Sequence, residues 1–545
     1  MFIDARALDD GTVIDAEVCV IGGGVAGITL ALEFEKLGID TCVLESGGFD
    51  SDRATRDLNR GESAGIPYRF ADGQRSRFLG GSSNCWGGWS RPLDEHDFEV
   101  RDWVPHSGWP IARRDLESHY ARAHGVLKLG PLTYDAAFWE AAIGRRDVRR
   151  VPLTAGKVVD VVSQFSPPVR MGVEYRRELE RARHVRIYLY ANAVELQTDR
   201  PAQRVERVRL ATLSGRRHTA RARLFVLAGG GIENPRLMLL SNAVEPAGLG
   251  NGHDLVGRYF MDHPRILSGS IKFRREWSRN KLYDVKFNYQ SRAVSAHGTG
   301  IATQFVLTPQ AQRAERLLNG QVWVSSVFPG DGSAAGEALV RLKHFMESKD
   351  QPDWSPLQDF VALLRQPIDT AGFVITRYAH PRALVKEVKF QASIEPEPDP
   401  DARVTLSDAR DALGLNRVRV AWRLSPLVRR TFDRHFALVA EEFERNGIAT
   451  VRLDAPLEGR DDWPGLSDDG SFHHMGTTRM DDSPRRGVVD RNCRVHGIGN
   501  LYVGGSSVFP TGGANFPTIT IVALSLRLAE HLAQELADRP AALAA

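Results

Sequence analysis

An α/β chain in two units is predicted by three observations. An apolar run over residues 15–21 breaks into glycines spaced G-x-G-x-x-G at Gly22, Gly24 and Gly27. An amphipathic stretch, 28–37, follows, and a second short apolar run, 41–44, ends in the acid Glu45. That is the strand–turn–helix–strand order of a Rossmann-like dinucleotide-binding unit. A chain of 545 residues is also too long for one ordinary core, so a second unit is expected, α+β and built on an antiparallel sheet.

Each part of the fingerprint has a physical task. Gly22 allows the tight turn, Gly24 lets backbone approach a pyrophosphate, and Gly27 lets the helix close on the strand. The helix N-terminus presents N–H groups and a positive dipole end to the phosphates. Glu45 lies 18 residues after Gly27, close to the spacing of an acid that holds a ribose hydroxyl.

Further along, residues 185–196 and 222–231 read as strands, the latter entering a glycine turn, and Asn234-Pro235-Arg236 opens a helix through Leu240. Residues 500–505 form a last strand, followed by a loop and a helix over about 519–536. One sheet assembled from both chain ends and a middle piece requires the intervening segments to fold as the other unit. There, residues 388–392 and 418–422 alternate apolar and polar with the period of a half-buried strand, and 426–445 has helical periodicity. Between those strands, residues 395–400 place prolines at alternate positions and must be a loop.

Composition excludes several classes. Net charge is +3 from 71 basic and 68 acidic residues, so no nucleic-acid footprint is present. The arginine cluster at 145–150 is broken by other residues and reads as a solvated face. The four cysteines, Cys19, Cys42, Cys85 and Cys493, show neither a disulfide framework nor a metal-ligand spacing. No apolar run approaches a membrane span, and residues 1–15 do not resemble a leader. A cytoplasmic protein is expected.

Two other segments carry chemistry. Residues 80–88 interleave four glycines with Ser82, Ser83, Asn84, Cys85 and Trp86. Such a loop turns N–H groups toward a ligand, and Trp86 and Trp89 offer walls for a planar ring. Residues 472–480 contain His473 and His474 before a Gly-Thr turn. Adjacent side chains on an extended segment point opposite ways, which disfavours a shared metal. One histidine at a catalytic position with a structural neighbour is the better reading.

Together these motifs resemble the glucose–methanol–choline (GMC) oxidoreductases, a family of flavoenzymes. The fingerprint with Glu45, the 80–88 loop, His473-x-x-Gly476-Thr477, Val489-Asp490, residues 500–503 and Phe509-Pro510-Thr511 match in order. Residues 257–264 are similar to the bacterial branch related to pyranose oxidases. The resemblance implies FAD. The first unit would then be a Rossmann-like FAD-binding domain of residues 1–100, 185–261 and 466–545. The second would be a discontinuous α+β substrate-binding domain of residues 101–184 and 262–465.

Residue by residue, the resemblance implies that Gly22, Gly24 and Gly27 hold the pyrophosphate, Glu45 the adenosine ribose, and Val194 the adenine through its backbone. Gly81, Ser83 and Asn84 would lie along the flavin, and Gly505 with Ser506 would close over it. His473 would assist oxidation of an alcohol by hydride transfer to flavin N5. A sugar, glycoside or cyclitol hydroxyl is the expected substrate; a sterol or natural-product alcohol, or a non-catalytic FAD-binding electron-transfer protein, is the alternative. From the fingerprint alone an NAD-dependent dehydrogenase stays open. The electron acceptor is oxygen or another.

Two departures from the family pattern stand out. Cys85 occupies a place where relatives with covalent FAD often carry histidine, so non-covalent FAD is expected. The family's second active-site residue, an Asn or His, aligns with Phe516, and Asn515 precedes it by one. Asn515 is expected to face the flavin; if Phe516 does so instead, His474 becomes the candidate replacement. His263 beside Asp262 is either near the pocket or packed on its own loop, and Arg479 is expected to be a structural donor.

Overall fold

The computed structural model describes residues 1–68, 70, 75–167, 169–290, 294–348, 355–379, 382–464, 466 and 471–538. The Val13–Ile21 strand lies inside the first sheet, and Val18, Cys19 and Val20 have no exposed surface. A parallel strand covered on both faces reads as a continuous apolar run, which is why its sequence does not alternate there. On one side it pairs in parallel with Thr41–Leu44, Cys19 opposite Cys42, and beyond that come Val185–Leu189 and Phe2–Asp4. On the other side it pairs in parallel with Arg217–Leu227, on which Leu501–Val503 also ladders. The antiparallel strands Val205–Ala211 and Asn192–Thr198 finish that side. The separated segments therefore meet in one sheet, as their sequences predict.

The fingerprint helix, Val25–Leu37, is followed by the left-handed Gly38. It packs against the last helix, Thr518–Asp538, which also carries Glu117–Leu127. The helix expected to open at Asn234 starts earlier, over Gly230–Leu240, with Pro235 inside it. Only one carbonyl, four residues back, loses its donor to that proline. The Asn234 side chain meanwhile closes the turn by accepting the Gly229 N–H at 2.7 Å.

The second sheet is antiparallel, in the order Arg265–Ser268, Glu387–Ile394, Gly320–Val327, Thr299–Leu307, Val158–Phe165 and Trp89–Ser90. The helix Pro426–Arg445 lies near this sheet, and its Phe432, Phe436 and Phe443 join Val322, Val324 and Phe390 in one core. Strand alternation sends Trp323 and Ser325 to the opposite face. A third, smaller sheet pairs Gly61–Gly65 with Asn416–Trp422. Gly61–Gly65 and Trp89–Ser90 thus ladder with strands of the second unit, although the sequence places them in the first. Glu117–Leu127, placed in the second, packs on the first.

The 395–400 loop is anchored by Glu395, fully buried, whose carboxylate takes two hydrogen bonds from Arg101 at 2.6 and 2.7 Å. Among the described residues no helix is long and apolar enough to cross a membrane. Among them, too, no group of three or more His, Cys, Asp or Glu is placed to hold a metal ion.

Candidate active site

Both large sheets contribute to one cavity of about 930 Å³. Its first end is the turn after Val13–Ile21. A Cβ on Gly27 would lie 1.9 Å from the Gly22 carbonyl oxygen, so only glycine allows the helix to start this close to the turn. Gly27 itself does not line the cavity; Gly22, Gly23 and Gly24 do. The helix has no side-chain cap at Gly24 and no acid in its first turn, which leaves its N-terminal N–H groups toward the cavity.

Glu45 stands beside this turn at the end of the Thr41–Leu44 strand and is 5% exposed. Burial pushes its pKa up, against hydrogen bonds that its two oxygens accept from Gly47 N–H at 2.8 Å and Gly23 N–H at 2.9 Å. The glycine loop crosses over the same turn. A Cβ on Gly81 would come within 2.8 Å of the Gly24 Cα, so the two backbones touch with no room for a side chain. Gly81, Ser83, Cys85, Trp86, Gly505 and Ser506 line the cavity.

Several hydroxyls and amides in this loop are already committed. Ser83 Oγ donates to the Gly80 carbonyl at 2.6 Å and accepts the Met171 N–H. Asn84 donates to the Leu79 carbonyl at 3.0 Å and does not reach the cavity. Ser506 Oγ donates to the His474 carbonyl at 2.6 Å. Val194 also stays off the cavity, where its neighbour Ala193 and then Ala191 take the surface.

At the far end lie His473, Phe516, Trp89, Trp323, Arg265, Ser325 and Gln391. The segments 259–263 and 473–477 pair antiparallel through Met261 and Met475, each donating to the other's carbonyl at 3.0 Å. This brings His263 beside His473, with the two Nδ1 atoms 2.9 Å apart. The His263 Nε2 lies 2.7 Å from the Gly513 carbonyl, which can only accept, so Nε2 carries the hydrogen. Burial lowers the His263 pKa to about 4, so the ring is neutral and its Nδ1 has a lone pair. His473 Nδ1–H must then donate across the 2.9 Å contact. Burial, helped by His263, Arg265 and His474, holds His473 well below the usual histidine range. A neutral ring with its proton on Nδ1 has its lone pair on Nε2.

His474 is turned the other way, as adjacency on an extended segment requires. Its Nε2 hydrogen-bonds the Tyr68 hydroxyl, its ring stacks on Phe260, and burial lowers its pKa to about 3. The imidazole is therefore committed to Tyr68, not placed as a partner to His473. His474 still lines the cavity, whereas Asn515 does not. Asn515 is fully buried, accepts from Arg91 Nη1 at 2.7 Å and donates to the Pro92 carbonyl at 2.7 Å. Phe516 takes the position instead, edge-on to the His473 ring at 5.2 Å and 86°, and 5.0 Å from Trp89.

The family model described as "GMC oxidoreductase" matches residues 398–525, and that described as "FAD dependent oxidoreductase" matches 17–246. The chain is therefore similar to the GMC oxidoreductases in its C-terminal part and to FAD-dependent oxidoreductases in its N-terminal part. It is similar to the fructose dehydrogenase large subunit of Gluconobacter japonicus, 26% identical over 58% of this chain and 48% of that one. The chain thus spans about half the length of that relative. Paromamine 6'-oxidase of Streptomyces fradiae is 25% identical over 97% of this chain and 93% of its own. A solved formate oxidase shares the fold with a TM-score of 0.53 at 14% identity, over 97% of this chain and 100% of that one.

The cofactor is FAD, and the cavity fits it. An uncapped helix end, a glycine turn with no room for a Cβ, and a buried carboxylate at the ribose spacing occupy one end, as a dinucleotide requires. Near them the sequence reading missed Arg75, Arg77 and Glu233. Glu233 opens the Gly230–Leu240 helix and pairs with Arg75 at 2.9 Å and Arg77 at 2.8 Å. Arg75-Ser76-Arg77 just before the glycine loop was the available signal. Arg265, Trp323 and Gln391 had none, because sheet register alone brings them to the site. Arg479 does serve as a donor, to the His106 carbonyl at 2.8 Å.

Proposed function

We propose that this protein is a GMC oxidoreductase that oxidises a hydroxyl of a sugar, glycoside or cyclitol to a carbonyl, with His473 taking the hydroxyl proton at Nε2. The observation that carries this reading is the tautomer: the Gly513 carbonyl and His263 together leave the only lone pair of His473 on Nε2. A neutral imidazole is the form that can act as a base, and a ring held through its other nitrogen needs no reorientation when it does so. Bound FAD, held non-covalently, supplies the hydride acceptor at flavin N5.

The chain's other residues orient the substrate. Trp89, Trp323 and Phe516 form an aromatic wall suited to the C–H face of a sugar ring. Gln391, opposite Trp323 in the strand pairing, and Ser325 offer hydrogen-bonding groups for further hydroxyls. The names of the relatives, a fructose dehydrogenase subunit and a paromamine oxidase, support a polyhydroxylated substrate.

Anaerobic mixing of the purified flavoprotein with a panel of sugars, glycosides, cyclitols, sterols and simple alcohols tests this. Loss of oxidised-flavin absorbance is expected with a ring polyol and not with a sterol. Bleaching by no alcohol would make the chain a binding or electron-transfer protein instead.

A further inference from the structure

One buried carboxylate reaches both histidines. Asp262, fully buried, accepts the backbone N–H of His473 on Oδ1 at 2.9 Å and that of Phe472 on Oδ2 at 3.1 Å. Its Oδ2 also takes the Tyr68 hydroxyl at 3.3 Å, and the same hydroxyl meets His474 Nε2. Phe472 has φ +56°, a left-handed conformation that a bulky residue rarely adopts and that surrounding bonds must hold. The two N–H bonds to Asp262 fall on that residue and the next. They fix the direction in which the His473 side chain leaves the chain, just after the left-handed Phe472 and beside the 261–475 pairing.

We propose that Asp262 is a positioning residue for the reaction: its ionised carboxylate clamps the strained Phe472–His473 backbone and so aims the His473 ring at the cavity and at His263, while Tyr68 couples the same carboxylate to His474. The inference rests on His473 being the base.

Protonation would take away acceptor capacity from a group that has three donors. The groups facing Asp262 are His473 and the Phe472 backbone from the segment before the Gly-Thr turn, Tyr68 from the stretch after Gly61–Gly65, and Arg265 from its own segment. Burial pushes Asp262 up to about 6, against the hydrogen bonds from His473, Phe472 and Tyr68 and the charge of Arg265. Above that value the carboxylate is ionised and the clamp is closed; below it the clamp is weakened. His473, whose pKa burial keeps lower still, does not titrate in that window. An acid limb in the reduction rate near pH 6 would ordinarily be read as the catalytic histidine; here it belongs to Asp262.

The test measures anaerobic flavin reduction at saturating substrate, on holoenzyme, from pH 5 to pH 9. The substrate is whichever polyol reduces the wild-type protein. Wild type is expected to lose rate with an acid limb near the value for Asp262. Asp262→Asn is expected to lower the limiting rate at pH 8 by roughly 10- to 100-fold, the scale of a misplaced catalytic group. Its KM should change little and its acid limb should vanish.

Tyr68→Phe removes a donor that favours the ionised carboxylate, so its acid limb is expected to move to higher pH. This second variant decides the matter if Asp262→Asn does not fold. An unshifted limb in Tyr68→Phe, an acid limb retained in Asp262→Asn, or a raised KM with an intact rate would overturn the proposal. Loss of rate in His473→Ala beside a normal Asp262→Asn would sink the clamp alone. Normal reduction by His473→Ala would sink the base it serves.

Discussion

At the scale of single residues, the arrangement around His473 depends on which nitrogen bears its hydrogen. His263 is the acceptor that fixes it, and its own tautomer is fixed by the Gly513 carbonyl. In His263→Ala the His473 ring loses that reference and can present either nitrogen. Its reduction rate is expected to fall by about 10- to 100-fold with little change in KM, as read by anaerobic stopped-flow. Asn515 separates structural from catalytic roles in the opposite sense. Its amide is bound to Arg91 and Pro92, away from the cavity. Asn515→Ala is expected to destabilise the fold by about 1–3 kcal/mol, the scale of a buried donor left without its partner. Reduction rates should be unchanged; a urea titration and the same stopped-flow trace measure both.

At the scale of elements, the turn between Val13–Ile21 and Val25–Leu37 works only because the helix backbone touches the turn at Gly27. Gly27→Ala is expected to push the helix start away and yield protein without bound flavin, seen as a lost visible spectrum. The Gly230–Leu240 helix contributes differently. Although burial opposes it, Arg77, Arg236 and Arg75 hold the Glu233 carboxyl well below the usual range. A carboxyl depressed in the folded state stabilises the fold at pH values above its unfolded pKa, and that stability drains away as pH falls below it. Melting temperature is therefore expected to drop on acidification below about pH 4.5, and less steeply in Glu233→Gln.

The same scale shows why some of the molecule was legible in the sequence. The fingerprint is local: strand, turn, helix and Glu45 follow one another, and Gly27 answers a contact with Gly22 inside that unit. The residues 500–505 strand and the helix after it read equally well. Pairings across long stretches of chain are not local. Thr299–Leu307 lies between Val158–Phe165 and Gly320–Val327, and nothing in any one of these segments names its partner. Arg265 and Trp323 reach the cavity through that register. The Asn515–Phe516 pair failed by a single residue: in the bend before the last helix Asn515 turns to Arg91 and Pro92 and Phe516 to the cavity.

For the whole molecule, the two large sheets are useful because they share one cavity. The first supplies the glycine turn and Glu45, and the second supplies Trp89 and Trp323 of the aromatic wall. Long-range bonds hold the segments in register. Arg101 and Glu395 form one such buried pair, and Asn319 donates its N–H to the same carboxylate at 3.0 Å. Arg101→Ala leaves that carboxylate uncompensated. It is expected to cost about 3–5 kcal/mol of stability, measured by chemical denaturation with flavin fluorescence as the probe.

The central claim is that a neutral His473 is the base of an alcohol-oxidising flavoenzyme. Anaerobic stopped-flow reduction of wild type and His473→Ala by the same polyol, at pH 8 and with equal flavin content, tests it most directly. The expected result is a limiting rate at least ~100-fold lower in the variant, the smallest loss typical of a missing general base. Equal rates in the two proteins would contradict it.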